Sequence, residues 1–216
     1  MTLEIRDRKN LEKYVQQMLE LKARLSYIKE NGSKKDRFQI ENTALHIRKI
    51  IETFAFSLMS LQKDSYRKYR ESANADFLND WNGREILNNL LKLNPDLFFE
   101  PIQKEIRAVD GTKVIQPLDK KQVYSIKQLS KLYERCGGIL HVSNPWKNCK
   151  KIESFGGELP RIIERLSLTF EDQSILVNHW KSNISTAVIV TLTGQDGNPS
   201  IYLAVSDGNF ALLDRS

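Results

Sequence analysis

The stretch RFQIENTALHIRKIIETFAFSLMSLQ, residues 37–62, decides the fold. Ile40, Ala44, Ile47, Ile50, Ile51, Phe54, Leu58 and Leu61 recur at spacings of three and four, the period of a helix with one apolar face. The apolar arc is wide, so the segment predicts a long helix with neighbours on several sides, the central helix of a bundle. Working outward, Leu11, Tyr14, Val15, Met18, Leu21, Leu25 and Ile28 mark a helix over 7–30, and Asn31-Gly32-Ser33 supplies C-cap and turn chemistry to end it. Ile86, Leu87, Leu90 and Leu91 mark a third helix over 82–93, closed by Asn94-Pro95.

Residues 95–120 read as irregular, apart from a short hairpin near 106–115 around Asp110-Gly111. The next helix begins near Ser125, carries Leu129, Leu132 and Tyr133, and is expected to end at Asn144-Pro145. Residues 147–157 read as a basic, glycine-containing linker, and 160–168 as one more helix with Pro160 in its first turn. The period then shortens. Residues 187–193 and 200–205 form a hairpin pattern around Gly194-Gln195-Asp196-Gly197-Asn198, with a third strand expected at 209–213. The expectation is an α+β chain, mainly an α-helical bundle over 1–150, followed over 151–216 by a helix and a small antiparallel β-hairpin tail. The exposed edges of such a hairpin suit a protein partner that adds a strand.

Composition narrows the classes of function. Hydrophobic residues make up 40% and charged residues 28%, which suits a chain that buries a core. No apolar run approaches the roughly 20 residues that span a bilayer, and residues 1–14 hold no apolar run of signal length. No membrane association is therefore expected. With Cys136 and Cys149 the only cysteines, a reducing, cytoplasmic setting is the default. The net charge of +6 favours an anionic partner such as RNA or another nucleic acid.

One constellation carries chemistry. Arg135 is followed by Cys136-Gly137-Gly138-Ile139-Leu140 and then His141, late in the helical region. This resembles the HEPN superfamily, whose signature is an arginine, four to six residues, and a histidine. The resemblance covers about residues 7–145. It implies a four- or five-helix bundle, a homodimer and, in many members, a ribonuclease of toxin–antitoxin, CRISPR or abortive-infection systems. It assigns catalysis to Arg135 and His141, with no cofactor and no metal. Cys136 departs from the pattern, which commonly has a polar residue after the arginine. HEPN-like bundles also serve as non-catalytic modules that bind RNA, nucleotide or a protein.

The residue types fit RNA cleavage. An imidazole can take or give a proton near neutral pH, and a guanidinium can hold phosphate oxygens by two parallel hydrogen bonds. Six positions on a regular helix turn by about 120°, so the pair does not share a face unless the glycines bend the helix or a second copy completes the site. His141 equally fits a helix-end role, and Arg135 an ordinary surface ion pair. Lys147, Lys150 and Lys151 would carry positive charge close to the pair. Arg67, Lys68 and Arg70, interleaved with Tyr66 and Tyr69, have the basic-plus-aromatic character of a nucleic-acid surface, and also that of a solvated helix end. Cys136, His141 and Cys149 do not match a common zinc spacing, Cys136 reads as a small buried group, and His179 beside Trp180 as structural or exposed. Arg48 and Glu52, four apart, suit a helical ion pair. Phosphate loops, dinucleotide fingerprints and hydrolase or zincin motifs are absent from the sequence.

Overall fold

The computed structural model describes residues 5–32, 36–93, 98–103, 106–107, 113–114, 116–142, 146, 151–178 and 185–206. Its helices are α1 (Ile5–Asn31), α2 (Arg37–Leu61), α3 (Lys63–Ser72), α4 (Gly83–Leu93), α5 (Ile126–Leu140) and α6 (Lys151–Phe170), with a 3-10 turn at Phe77–Asn79. The strands are β1 (Phe98–Pro101), β2 (Ile106–Arg107), β3 (Lys113–Val114), β4 (Asp172–Asn178), β5 (Ser185–Thr191) and β6 (Ser200–Ser206). Six helices thus form a packed helical region, and a four-stranded antiparallel sheet forms toward the C-terminus, in the order β1-β4-β5-β6. β2 and β3 pair separately.

α2 is the hub. It packs against α1, α3, α4, α5 and α6, and its residues from Ile40 to Leu58 are buried on most of the helix circumference. Its N-terminus is fixed by Asp36, whose side chain accepts from the Gln39 amide at 3.1 Å, as an N-cap should. α1 lies along it. Tyr27 of α1 stacks on His46 of α2 with ring centroids 4.2 Å apart, and the Tyr27 hydroxyl accepts from Asn42 Nδ2 at 2.7 Å.

Gly32 ends α1 where three helices meet. Its amide donates to the Ile28 carbonyl at 2.8 Å. A Cβ there would fall 2.5 Å from the Ile28 carbonyl oxygen and would also strike Cδ1 of Ile163 on α6. The backbone oxygen cannot swing away as a side chain can. Gly32→Ala is therefore expected to destabilise the chain by about 1–3 kcal/mol, read as a lowered midpoint in thermal denaturation followed by circular dichroism.

The sheet closes the other side of the core. Phe99 of β1, Gln173 and Ile175 of β4, and Val188 and Val190 of β5 are buried on one sheet face, in rows set by the register Phe99↔Ile175↔Val188 and Gln173↔Val190. Phe54 of α2 meets Phe99 at 4.6 Å and Phe170 of α6 at 5.0 Å between ring centroids. Tilted aromatic contacts of this kind each add about 0.5–1.5 kcal/mol beyond the area they bury. One apolar core therefore runs from the helices into the sheet.

Several segments differ from the sequence expectation. β1 lies in the stretch read as irregular, and Pro101 is accommodated because β1 is an edge strand. β4 had no assignment, although its seven residues pair fully with β5. α3 (Lys63–Ser72) is a helix where the sequence marks only a basic stretch with interleaved tyrosines. α5 stops at Leu140, four residues short of Asn144, because the backbone at His141 is already extended. α6 begins at Lys151 and carries Pro160 in its interior, so residues 151–157 are helix and not linker. The strand expected at 209–213 lies outside the described residues.

Candidate functional site

α5 sets the geometry of the Arg135–His141 pair. The helix starts with a full capping box: the Ser125 side chain accepts from the Gln128 amide, and the Gln128 side chain accepts from the Ser125 amide at 2.9 Å. Its inner face buries Ile126, Leu129, Leu132, Tyr133, Cys136 and Ile139. Lys131, Glu134, Arg135 and Gly138 consequently face outward. His141 is the C-cap residue and is exposed.

Arg135 is held by α6. Its Nη1 and Nη2 donate to the two carboxylate oxygens of Glu158 at 2.7 and 2.6 Å, and its guanidinium carbon sits 5.0 Å from the centre of the Phe155 ring. The Ser154 hydroxyl donates to the same carboxylate at 3.4 Å. Hydrogen bonds from Arg135 hold the Glu158 carboxyl below its usual range. Beside this ion pair runs an open groove of about 610 Å³ lined by Glu134, Arg135, Gly138, Ile139, Lys151 and Ser154. Gly138 has nothing within 4 Å of its Cβ position, so its missing side chain leaves the groove floor clear. His141 is not among the lining residues. Arg135 and Lys151 are thus brought to one groove, and His141 stands beyond it at the helix end. Lys147, Lys150, Cys149, His179 and Trp180 lie outside the described residues.

The glycine next to the arginine has another use. A Cβ on Gly137 would come within 2.8 Å of Arg48 Nη1, so the glycine admits Arg48 of α2 against α5. Arg48 Nη2 donates to the Tyr133 hydroxyl at 2.6 Å, and that hydroxyl donates to Glu52 Oε1 at 2.9 Å. Lys49 donates to Glu52 Oε2 at 2.8 Å. Burial alone would raise the Glu52 carboxyl, but the bonds from Lys49, Tyr133 and Arg48 outweigh it and hold it below its usual range. Burial and the adjoining Glu52 push the Tyr133 hydroxyl up to about 12. The group is internally satisfied and clasps α2 to α5. Burial likewise pushes the Cys136 thiol up to about 12, which removes it as a nucleophile near neutral pH.

The basic stretch on α3 stands elsewhere. α3 packs against α2, α4 and the 3-10 turn. Tyr66 is fully buried and donates to Asp80 Oδ2 at 2.7 Å, so no base can stack on it. Arg70 donates to the other oxygen of Asp80 at 2.7 Å, and Arg67 pairs with Asp64 and Glu71, each at 3.7 Å. Lys68 is exposed. None of the three cations lines the Arg135 groove.

The residue types single out Arg135 and Lys151, and not Ser154, Phe155 and Glu158, which the fold sets beside them. All three lie in the first turns of α6, in or beside the segment read as linker. A Ser154–Glu158 spacing of four is a helical signal, which Gly156-Gly157 obscured. Neither a family model, nor a curated protein, nor a solved structure matches the chain. No helix among the described residues is long and apolar enough to cross a membrane.

Proposed function

We propose that the chain is a metal-independent endoribonuclease of HEPN type that completes its site as a homodimer. The observation that carries this reading is the placement of Arg135 and His141. Both are solvent-facing at the C-terminal end of α5, and Arg135 lines an open groove with Lys151. Each residue has a defined role. Arg135 holds the oxygens of the scissile phosphate and neutralises their gathering charge. One imidazole takes the proton of the 2′-hydroxyl, whose oxygen attacks the adjacent phosphorus. The bond from phosphorus to the 5′ oxygen breaks, and that oxygen takes a proton from a second, protonated imidazole. The products are a 2′,3′-cyclic phosphate and a 5′-hydroxyl.

A two-fold partner supplies the second imidazole. Val142, next to His141 in the chain, is 92% exposed, an apolar side chain that a second copy would cover. The HEPN resemblance puts such an activity in phage defence or a toxin–antitoxin pair. The net charge of +6 suits an RNA substrate.

The test uses purified protein with tRNA and total RNA in excess EDTA, alongside light scattering for mass. Cleavage to cyclic-phosphate ends by a dimer is expected. Uncut RNA overturns the enzymatic reading. A second reading, a non-catalytic RNA-binding module, is favoured by the Glu158 carboxylate that engages Arg135. It predicts RNA retention without cleavage.

A further inference from the structure

Glu158 occupies the guanidinium that an RNA phosphate would need. The contact is a fork, two parallel bonds of 2.7 and 2.6 Å to the two oxygens of one carboxylate. A phosphate offers a matching pair of oxygens to the same fork. The Arg135 and Glu158 side chains are 41% and 48% exposed, so one anion can replace the other without unfolding any element. Phe155 sits under Arg135 and would keep the guanidinium in place by its ring face once the carboxylate leaves.

The surroundings give the incoming anion something to meet. Ser154 touches both Glu158 and the groove. Lys151, one turn earlier on α6, adds an exposed positive charge to the groove. Glu134, the groove's own acidic residue, is already paired with Arg84 of α4, so it does not compete for Arg135.

We infer that Glu158 is an internal stand-in for phosphate: it holds Arg135 in the resting chain and must be displaced when RNA enters the groove. Glu158 would then set a threshold, so that a weakly held anion fails to capture Arg135 and a polyanion, with Lys151 as a second contact, succeeds. The inference rests on the RNA reading of this site and goes beyond it by assigning a residue that opposes binding.

The experiment measures binding of a fluorescently labelled single-stranded RNA by anisotropy, in a His141→Ala background that keeps the RNA intact. Glu158→Gln is expected to tighten binding about three- to fivefold, the scale of an exposed charge pair. Arg135→Ala is expected to weaken binding, and adding Glu158→Gln to it should bring no further gain, because the two residues then act through one contact. Thermal melts of each variant separate this role from a structural one, since a mere α5–α6 tie would lower the midpoint and leave RNA affinity unchanged. If the parent protein binds RNA and Glu158→Gln does not bind tighter, the threshold role is wrong and the RNA reading survives. An equal gain in the Arg135→Ala background also sinks it, by showing general repulsion. If neither the parent nor Glu158→Gln binds RNA, both readings fall together.

Discussion

His141→Ala is expected to lower RNA cleavage by about 100-fold or more, the usual scale for a lost general acid or base, with little change in RNA affinity or melting temperature. His141 is exposed at the C-cap of α5, where the backbone has already left the helix, so its side chain supports no packing that alanine would lose. Arg135→Ala is expected to impair cleavage and binding together. Mixing His141→Ala with the parent protein tests how the site is assembled. Arg135 lines the groove, and His141 is not among its lining residues. A site that draws one imidazole from each copy has only one in a dimer mixed from parent and His141→Ala chains, so excess His141→Ala should lower cleavage below the share of parent chains. If one imidazole of one chain suffices, cleavage falls only in proportion to the parent chains. Cleavage retained by His141→Ala would remove the histidine from the chemistry.

Phe54→Ala should give the largest loss of stability, about 3–5 kcal/mol, which for a chain of this size lowers the melting midpoint by roughly 6–20 °C. Phe54 is fully buried and touches both Phe99 of the sheet and Phe170 of α6 at close range. Removing it withdraws two ring contacts and leaves a void between rigid layers that cannot collapse onto it. Differential scanning calorimetry is the direct measurement. A loss below about 1 kcal/mol, more typical of a surface change, would mean that the helices and the sheet do not depend on this joint.

The helical part of the fold was legible because its signal is local. The stripe from Ile40 to Leu58 repeats every three or four residues and can be read without knowing what it touches. β1 was not legible, since Phe98–Pro101 is short, ends in proline, and owes its strand character to pairing with β4 far along the chain. The start of α6 was misread for a related reason. Gly156, Gly157 and Pro160 are helix breakers in isolation, but Gly156 faces Ile40 of α2, whose Cδ1 would lie 2.5 Å from any Cβ there. Close helix packing selects the glycine and overrides its propensity. The candidate site divides along the same line. Arg135 and His141 are recognisable as chemical types, whereas the contact between Arg135 and Glu158 exists only once α5 and α6 lie side by side.

β1 has a consequence for how the chain is made. It is synthesised about seventy residues ahead of β4, so at roughly 5–20 residues per second it waits some 4–14 s on the ribosome before its hydrogen-bonding partner exists. Until then Phe99 can meet Phe54 but not its strand partner Ile175. A nascent chain stalled after α5 would display this strand to any bystander. Slow translation of α6 and β4 would lengthen that exposure.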